Sequence, residues 1–241
     1  MSKGAPPELA SRDVRAASAS SFKNATRVQV SFVTAAEKRT LAWFAARMPA
    51  WVNSDHLTVL GFVAQIMVGV SYALSRYDRR WLLWGILFLA VNWFGDSLDG
   101  TLARFRNRQR PRYGFYVDHV IDAVGSTALM AGLAVSGYMS PLVALALLVM
   151  FLLLAIEVYL ATYTIGSFHL SFFNLGPTEI RIILAIGNIA LYVRGGWAHL
   201  LGHRFLLFDV GAVVSIVVMG VMFLYAAIRH TVQLYREERL P

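Results

Sequence analysis

Asp96 and Asp99 stand three residues apart in one apolar stretch, and Asp118 and Asp122 stand four apart in the next. On helices, each of these spacings puts both carboxylates on one face. A carboxylate at the centre of a membrane helix costs about 2.5–3.5 kcal/mol even on the lenient insertion scale. Four of them near the ends of two consecutive spans, joined by a short loop, would repel one another unless cations sat between them. Hard oxygen ligands suit Mg²⁺ or Mn²⁺. Four carboxylates are enough for a two-metal site of the kind used in phosphoryl-type chemistry. The chain has no cysteine, which excludes a thiolate metal site, a cysteine nucleophile and a disulfide scaffold.

The neighbouring residues fit that chemistry. Gly100 follows Asp99, and Gly114 lies one turn before Asp118. Glycine and alanine let a ligand or another helix approach the backbone closely. Arg104 begins a run with Arg106, Arg108, Arg110 and Arg112. Guanidinium groups at the membrane surface beside the carboxylates suit a diphosphate, although a cytoplasmic loop rich in arginine accounts for most of this run. Arg104 differs because it stays within reach of the helix end.

Asp96-x2-Asp99-Gly100-x2-Ala103-Arg104 and, further on, Gly114-x3-Asp118-x3-Asp122 together resemble the signature of the CDP-alcohol phosphotransferases. Eight specified residues fall within 27 positions. Nine residues separate Arg104 from Gly114, one more than the family usually has, and the extra residue falls in the loop. The resemblance extends to a six-span layout with a preceding surface helix. It implies that Asp96, Asp99 and Asp118 are metal ligands. Asp122 would complete the site and act as general base on the acceptor hydroxyl. Gly100, Ala103 and Arg104 would meet the CDP moiety, as would Thr58 at the entry to the first span. The implied reaction passes a substituted phosphoryl group from a CDP-alcohol, in particular CDP-diacylglycerol, to an acceptor alcohol with release of CMP. Two divalent cations, Mg²⁺ or Mn²⁺, would assist. A homodimer is implied by the family alone.

These residues need elements to position them, and the composition points to a membrane bundle. Hydrophobic residues make up 57% of the 241 residues, and the mean hydropathy is +0.56, too apolar for an ordinary soluble domain. Six spans are expected, near 57–74, from 81 into 96–104, then 114–137, 141–165, 177–193 and 206–228. All are long enough for roughly 30 Å of hydrocarbon with some tilt. Ser54 or Asp55 is the expected N-cap of the first. An amphipathic juxtamembrane helix at 34–49 precedes them. Thr34 and Glu37 have capping-box spacing, and Leu41, Phe44, Ala45 and Met48 form its apolar stripe. Packing on its own protein and lying in the cytoplasmic interface are both open to it. Residues 1–33 read as a mobile basic segment without a secretory signal. Residues 50–230 form the membrane catalytic domain and 231–241 a cytoplasmic tail. The expected fold class is thus all-α integral membrane.

The net charge is +8, and the basic residues flank apolar blocks. Anionic lipid headgroups, not nucleic acid, are the expected partner. With both termini inside, Arg76, Arg79, Arg80, Arg194 and Arg204 are the outside cations, and the other seventeen of 22 Lys and Arg lie inside, as the positive-inside rule favours. The active site then faces the cytoplasm.

Four further residues are acceptor-pocket candidates: His119, Glu157, Glu179 and Arg181. Ionisable groups in spans are functional candidates by default. His119 is otherwise a structural or interfacial histidine, and Glu179 with Arg181 otherwise a pair at a helix start. Some family members that use CDP-choline or CDP-ethanolamine resemble the Asp118-His119 sequence, so head-group transfer to diacylglycerol is an alternative. An intramembrane prenyltransferase also uses Asp-rich helices and Mg²⁺, but lacks the Gly100, Ala103 and Arg104 pattern. A cation or proton transporter could also place Asp in spans, but no inverted repeat or broken-helix pair is evident.

Overall fold

The computed structural model of the chain describes residues 34–165, 176–200 and 202–238. The basic segment at 1–33, with the expected lack of a secretory signal, lies outside the described residues. Among the described residues the chain forms seven helices and one short hairpin. They run α1 (Thr34–Arg47), α2 (Ser54–Ser75), α3 (Trp81–Phe105), α4 (Pro111–Ser136), α5 (Pro141–Thr164), α6 (Pro177–Arg194), β1 (Trp197–Leu200), β2 (His203–Leu206) and α7 (Leu207–Glu237). Five of these, α2, α3, α4, α5 and α7, are long and apolar enough to cross a membrane. This is an all-α multi-pass membrane protein of the expected class. The 18-residue α6 carries Glu179, Arg181 and Arg194 and does not reach that standard on length and composition.

The helix ends follow from local chemistry. Asn53 caps α2, one residue before the expected Ser54 or Asp55, and its amide donates to Nδ1 of His56 at 3.1 Å. Pro111 starts α4 three residues earlier than expected; Pro suits the first turn because its missing N–H would be unsatisfied there. Gly137 ends α4 at φ 82, a left-handed cap that glycine adopts without penalty. Pro141 and Pro177 likewise open α5 and α6. The hairpin, absent from the expected layout, pairs Trp197 with Leu206 and Leu200 with His203 around Gly202 at φ 81. The α7 helix runs on to Glu237 without a break at 230, the boundary expected for the tail.

The bundle is built around α2, which packs between α3 and α4. Glycines set both contacts. A Cβ on Gly95 would lie 2.6 Å from the Gly61 nitrogen and the Leu57 carbonyl oxygen. A Cβ on Gly132 would lie 2.0 Å from the Gly69 carbonyl oxygen. In lipid, where apolar burial gives helices little reason to associate, such backbone contact supplies the packing. The apolar stripe of α1 packs inward. Leu41 and Ala45 are buried with Val52, Leu57, Leu98 and Leu102, and Phe44 and Met48 pack against them. Far along α2, the buried Tyr72 hydroxyl donates to Asn188 Oδ1 of α6 at 2.9 Å.

Candidate active site

The Gly61–Gly95 crossing lies within one turn of both Thr58 and Asp96, so it fixes how the ends of α2 and α3 face each other. Asp96, Asp99, Asp118 and Asp122 line one small cavity with Thr58, Gly61, Phe62, Gln65, Asn92 and Ile121. All four aspartates expected to converge are therefore brought together by α3 and α4, with α2 as the third wall.

Asp99 and Asp96 are held by contacts from three helices. The Thr58 hydroxyl stands 2.6 Å from Asp99 Oδ2 and 3.1 Å from the Ser54 carbonyl. It has one proton, and the closer partner is the carboxylate. Asp99 Oδ1 accepts from the Gly100 amide. Asp96 Oδ2 accepts from Arg181 Nη2 at 2.7 Å, and Arg181 Nε donates to Asn92 Oδ1 at 2.7 Å. A guanidinium only donates, so the Asn92 oxygen faces it and Asn92 Nδ2 is left to donate to the Gly61 carbonyl at 2.9 Å. The chain of contacts Gly61–Asn92–Arg181–Asp96 thus joins α2, α3 and α6. Arg181 Nη1 is buried with no acceptor among the described residues.

The other expected residues are distributed unevenly. Gly100 lies beneath Arg104, whose Nη1 would be 3.4 Å from an added Cβ. Arg104 Nη2 donates to Thr101 at 3.1 Å on its exposed side. Gly114 has open space around its Cβ position. His119 is turned toward α5, its ring 4.1 Å from Phe115 and 4.4 Å from Tyr159. Its Nδ1 lies 2.5 Å from the Phe115 carbonyl; a carbonyl can only accept, so the proton sits on Nδ1 and Nε2 is the basic nitrogen of the neutral ring. Glu157 does not line the cavity; it pairs with His230 Nδ1 of α7 at 2.6 Å. Glu179 accepts from the Gly176 amide at 2.9 Å and caps α6, while Arg181 reaches Asp96. The two do not form the helix-start pair considered from the sequence.

The loop arginines divide by role. Arg106 donates to the carbonyls of Met48 at 2.8 Å and Pro49 at 2.9 Å, and to that of Val52, closing the α1–α2 turn. Arg110 pairs with Asp55 and lies over the Tyr113 ring. Both hold backbone or a neighbouring carboxylate, whereas Arg104 lies over Gly100, next to Asp99 in sequence. Asn92, Gln65 and Tyr159 were not singled out from the sequence. Asn92 lies four residues before Asp96, which was a readable signal. Tyr159 lies within electrostatic range of Asp118 and Asp122, but no local pattern links α5 to them.

A family model described as CDP-alcohol phosphatidyltransferase matches residues 51–233, most of the chain. The chain belongs to the CDP-alcohol phosphatidyltransferase family. That match takes in all four aspartates and every helix from α2 to α6. Among curated relatives, the chain is 30% identical to an archaetidylinositol phosphate synthase of Pyrococcus horikoshii over 36% of this chain and 43% of that protein. It is 30% identical to a phosphatidylinositol phosphate synthase of Cutibacterium acnes over 37% of this chain and 41% of that protein. A phosphatidylinositol phosphate synthase of Streptomyces avermitilis is 34% identical over 34% of this chain and 32% of that protein. The matched stretches thus span less than half of these relatives.

Members of this family generally use divalent cations. Among the described residues, no three His, Asp or Glu side chains are gathered closely enough to form a metal cage as they stand. The donor set nevertheless fits a hard cation: four carboxylates line one cavity, and oxygen donors are what Mg²⁺ and Mn²⁺ take.

Proposed function

We propose that this protein transfers a phosphatidyl group from CDP-diacylglycerol to a polar acceptor alcohol, releasing CMP. The observation that carries the reading is the convergence of Asp96, Asp99, Asp118 and Asp122 on one cavity, in a chain of this family. The names of the relatives favour an acceptor of the inositol phosphate class. Arg181 supports this, because it brings a guanidinium to Asp96, which lines the cavity, and among the described residues its Nη1 has no acceptor. Guanidinium nitrogens suit phosphate oxygens.

The aspartates would hold two divalent cations, which when bound neutralise charge on the diphosphate. Thr58 orients Asp99. Gly100 and Ala103 leave room for the nucleotide, and Arg104 binds the diphosphate at the exposed end of α3. Asp122 takes the proton from the acceptor hydroxyl. The acceptor oxygen then bonds to the phosphorus that carries the donor alcohol, the bond from that phosphorus to CMP breaks, and CMP leaves. Positioning and fixed charge supply most of the acceleration.

In the membrane, α6 serves as a sixth span and residues 50–230 act as one catalytic domain. Both termini and the site face the cytoplasm, in keeping with the bias of basic residues. Incubating purified protein with CDP-diacylglycerol and inositol monophosphate tests the reaction. Equimolar CMP and a phosphatidylated product are expected; neither would appear if the reading is wrong.

A further inference from the structure

Glu37 lies on α1, outside the cavity, yet its carboxylate ties together the two helices that form the Arg181–Asp96 contact. Oε1 accepts from Trp93 Nε1 of α3 at 2.8 Å and from the Thr178 hydroxyl of α6 at 2.7 Å, with the Ser97 hydroxyl at 3.5 Å. Glu37 was expected to act in a capping box with Thr34, whose side chain lies outside the described side chains. The Glu37 carboxylate joins three helices, its own α1 with α3 and α6.

The positions of its partners give the contact its meaning. Trp93 is three residues before Asp96 and next to Asn92, and Ser97 follows Asp96 directly. Thr178 is three residues before Arg181, one helical turn away. On α6 the two contacts lie one turn apart, with Arg181 bound to Asn92 and Asp96 and Thr178 bound to Glu37; on α3 they use neighbouring residues, Asn92 and Asp96 for Arg181, Trp93 and Ser97 for Glu37. The α3–α6 crossing is therefore pinned by two contacts, and the one nearer the start of α6 is supplied by the juxtamembrane helix. A charged acceptor makes hydrogen bonds roughly twice as strong as neutral ones. The α1 helix that carries Glu37 is itself seated by Leu41 and Ala45.

We infer that Glu37 is a positioning residue for the acceptor side of the site, holding the start of α6 so that Arg181 stays opposite Asp96. This rests on the proposed transfer only in its kinetic consequence. The donor side is anchored elsewhere, by Thr58 and Arg104 on α2 and α3, so a loss at Glu37 acts on one substrate more than the other.

The test uses the full chain purified in lipid nanodiscs, with CDP-diacylglycerol and inositol monophosphate as substrates. Glu37→Ala raises the acceptor KM about tenfold with donor KM nearly unchanged, the pattern of lost positioning for one substrate. Glu37→Gln keeps an acceptor oxygen for Trp93 and Thr178 and restores the acceptor KM to within about threefold of wild type. Because the chain has no native cysteine, spin labels on Tyr77→Cys and Ile183→Cys, both exposed positions, report the placement of α6 without turnover. Glu37→Ala broadens or shifts that distance distribution and Glu37→Gln does not. An unchanged distance distribution in Glu37→Ala overturns the inference. So does a parallel rise in both KM values, which would mark a general loss of fold. If the wild type releases no CMP, the proposed transfer fails, and the label distances still decide the role of Glu37.

Discussion

Arg181 of α6 and Asp96 of α3, 85 residues apart in sequence, meet at 2.7 Å, and Asp96 lines the carboxylate cavity. Their side chains are 16% and 32% exposed. The contact supplies a protein counter-charge to one member of a crowded acidic group. It also brings α6, the least apolar of the long helices, into the site.

Replacing that counter-charge should make the fold depend more on added cations. Arg181→Ala leaves Asp96 facing the other carboxylates. Asp96 retains some solvent access, so the loss falls short of the roughly 3–5 kcal/mol seen for a fully buried pair. The melting temperature in detergent should fall, and Mg²⁺ should raise it by more than it raises that of the wild type, because a ligand that binds the folded state stabilises it. Equal Mg²⁺ shifts in both proteins would separate Arg181 from the cation site.

Metal removal should stop the reaction. Four carboxylates line the cavity and the chain has no cysteine, so hard divalent cations fit the donor set. CMP release should vanish in excess chelator and return with Mg²⁺ or Mn²⁺. Full turnover in chelator, with metal content shown to be nil, contradicts the two-cation reading.

Arg104 should matter for the donor more than for the fold. Among the described residues its guanidinium reaches only Thr101, at 3.1 Å, unlike Arg106, which holds three carbonyls. Arg104→Ala should weaken CDP-alcohol binding by about tenfold or more, as loss of a charge-assisted phosphate contact does, with little change in melting temperature. Arg106→Ala should do the reverse. Unchanged donor affinity in Arg104→Ala would move it among the charges that set membrane orientation.

Packing at Gly132 should be intolerant of even one methyl group. An added Cβ meets the Gly69 carbonyl at 2.0 Å, a backbone atom that cannot swing away. Overpacking of this kind costs about 1–3 kcal/mol, so Gly132→Ala should lower the unfolding midpoint clearly. Gly114→Ala, with open space at its Cβ, should leave the midpoint unchanged.

The carboxylate pairs were legible because their meaning is local: i, i+3 and i, i+4 spacings in two adjoining apolar stretches. The membrane helices were legible for the same reason, since length and apolar composition are properties of a segment. Arg181 was noticed as an ionisable residue at the start of an apolar stretch, open to pairing with Glu179 or to the acceptor pocket, but its contact with Asp96 was not legible because it joins residues 85 apart. The hairpin at Trp197–Leu206 is rich in apolar residues and blends into the stretch that follows. Glu37 has capping-box spacing from Thr34, and its bonds to Trp93 and Thr178 were not legible because they depend on how α1, α3 and α6 come together. The contact of Glu157 with His230 was not legible either, because it depends on how α5 and α7 come together.

The most direct test of the central claim compares Asp122→Asn and Asp96→Asn with wild type, reading CMP release and donor binding side by side. Asn keeps the shape and one oxygen but cannot take a proton from the acceptor hydroxyl. The account predicts that Asp122→Asn abolishes CMP release while CDP-diacylglycerol binding largely survives, and that Asp96→Asn loses both. Near-normal turnover by Asp122→Asn at saturating donor and acceptor would contradict it, and would leave Nε2 of His119 as the base to test by His119→Ala.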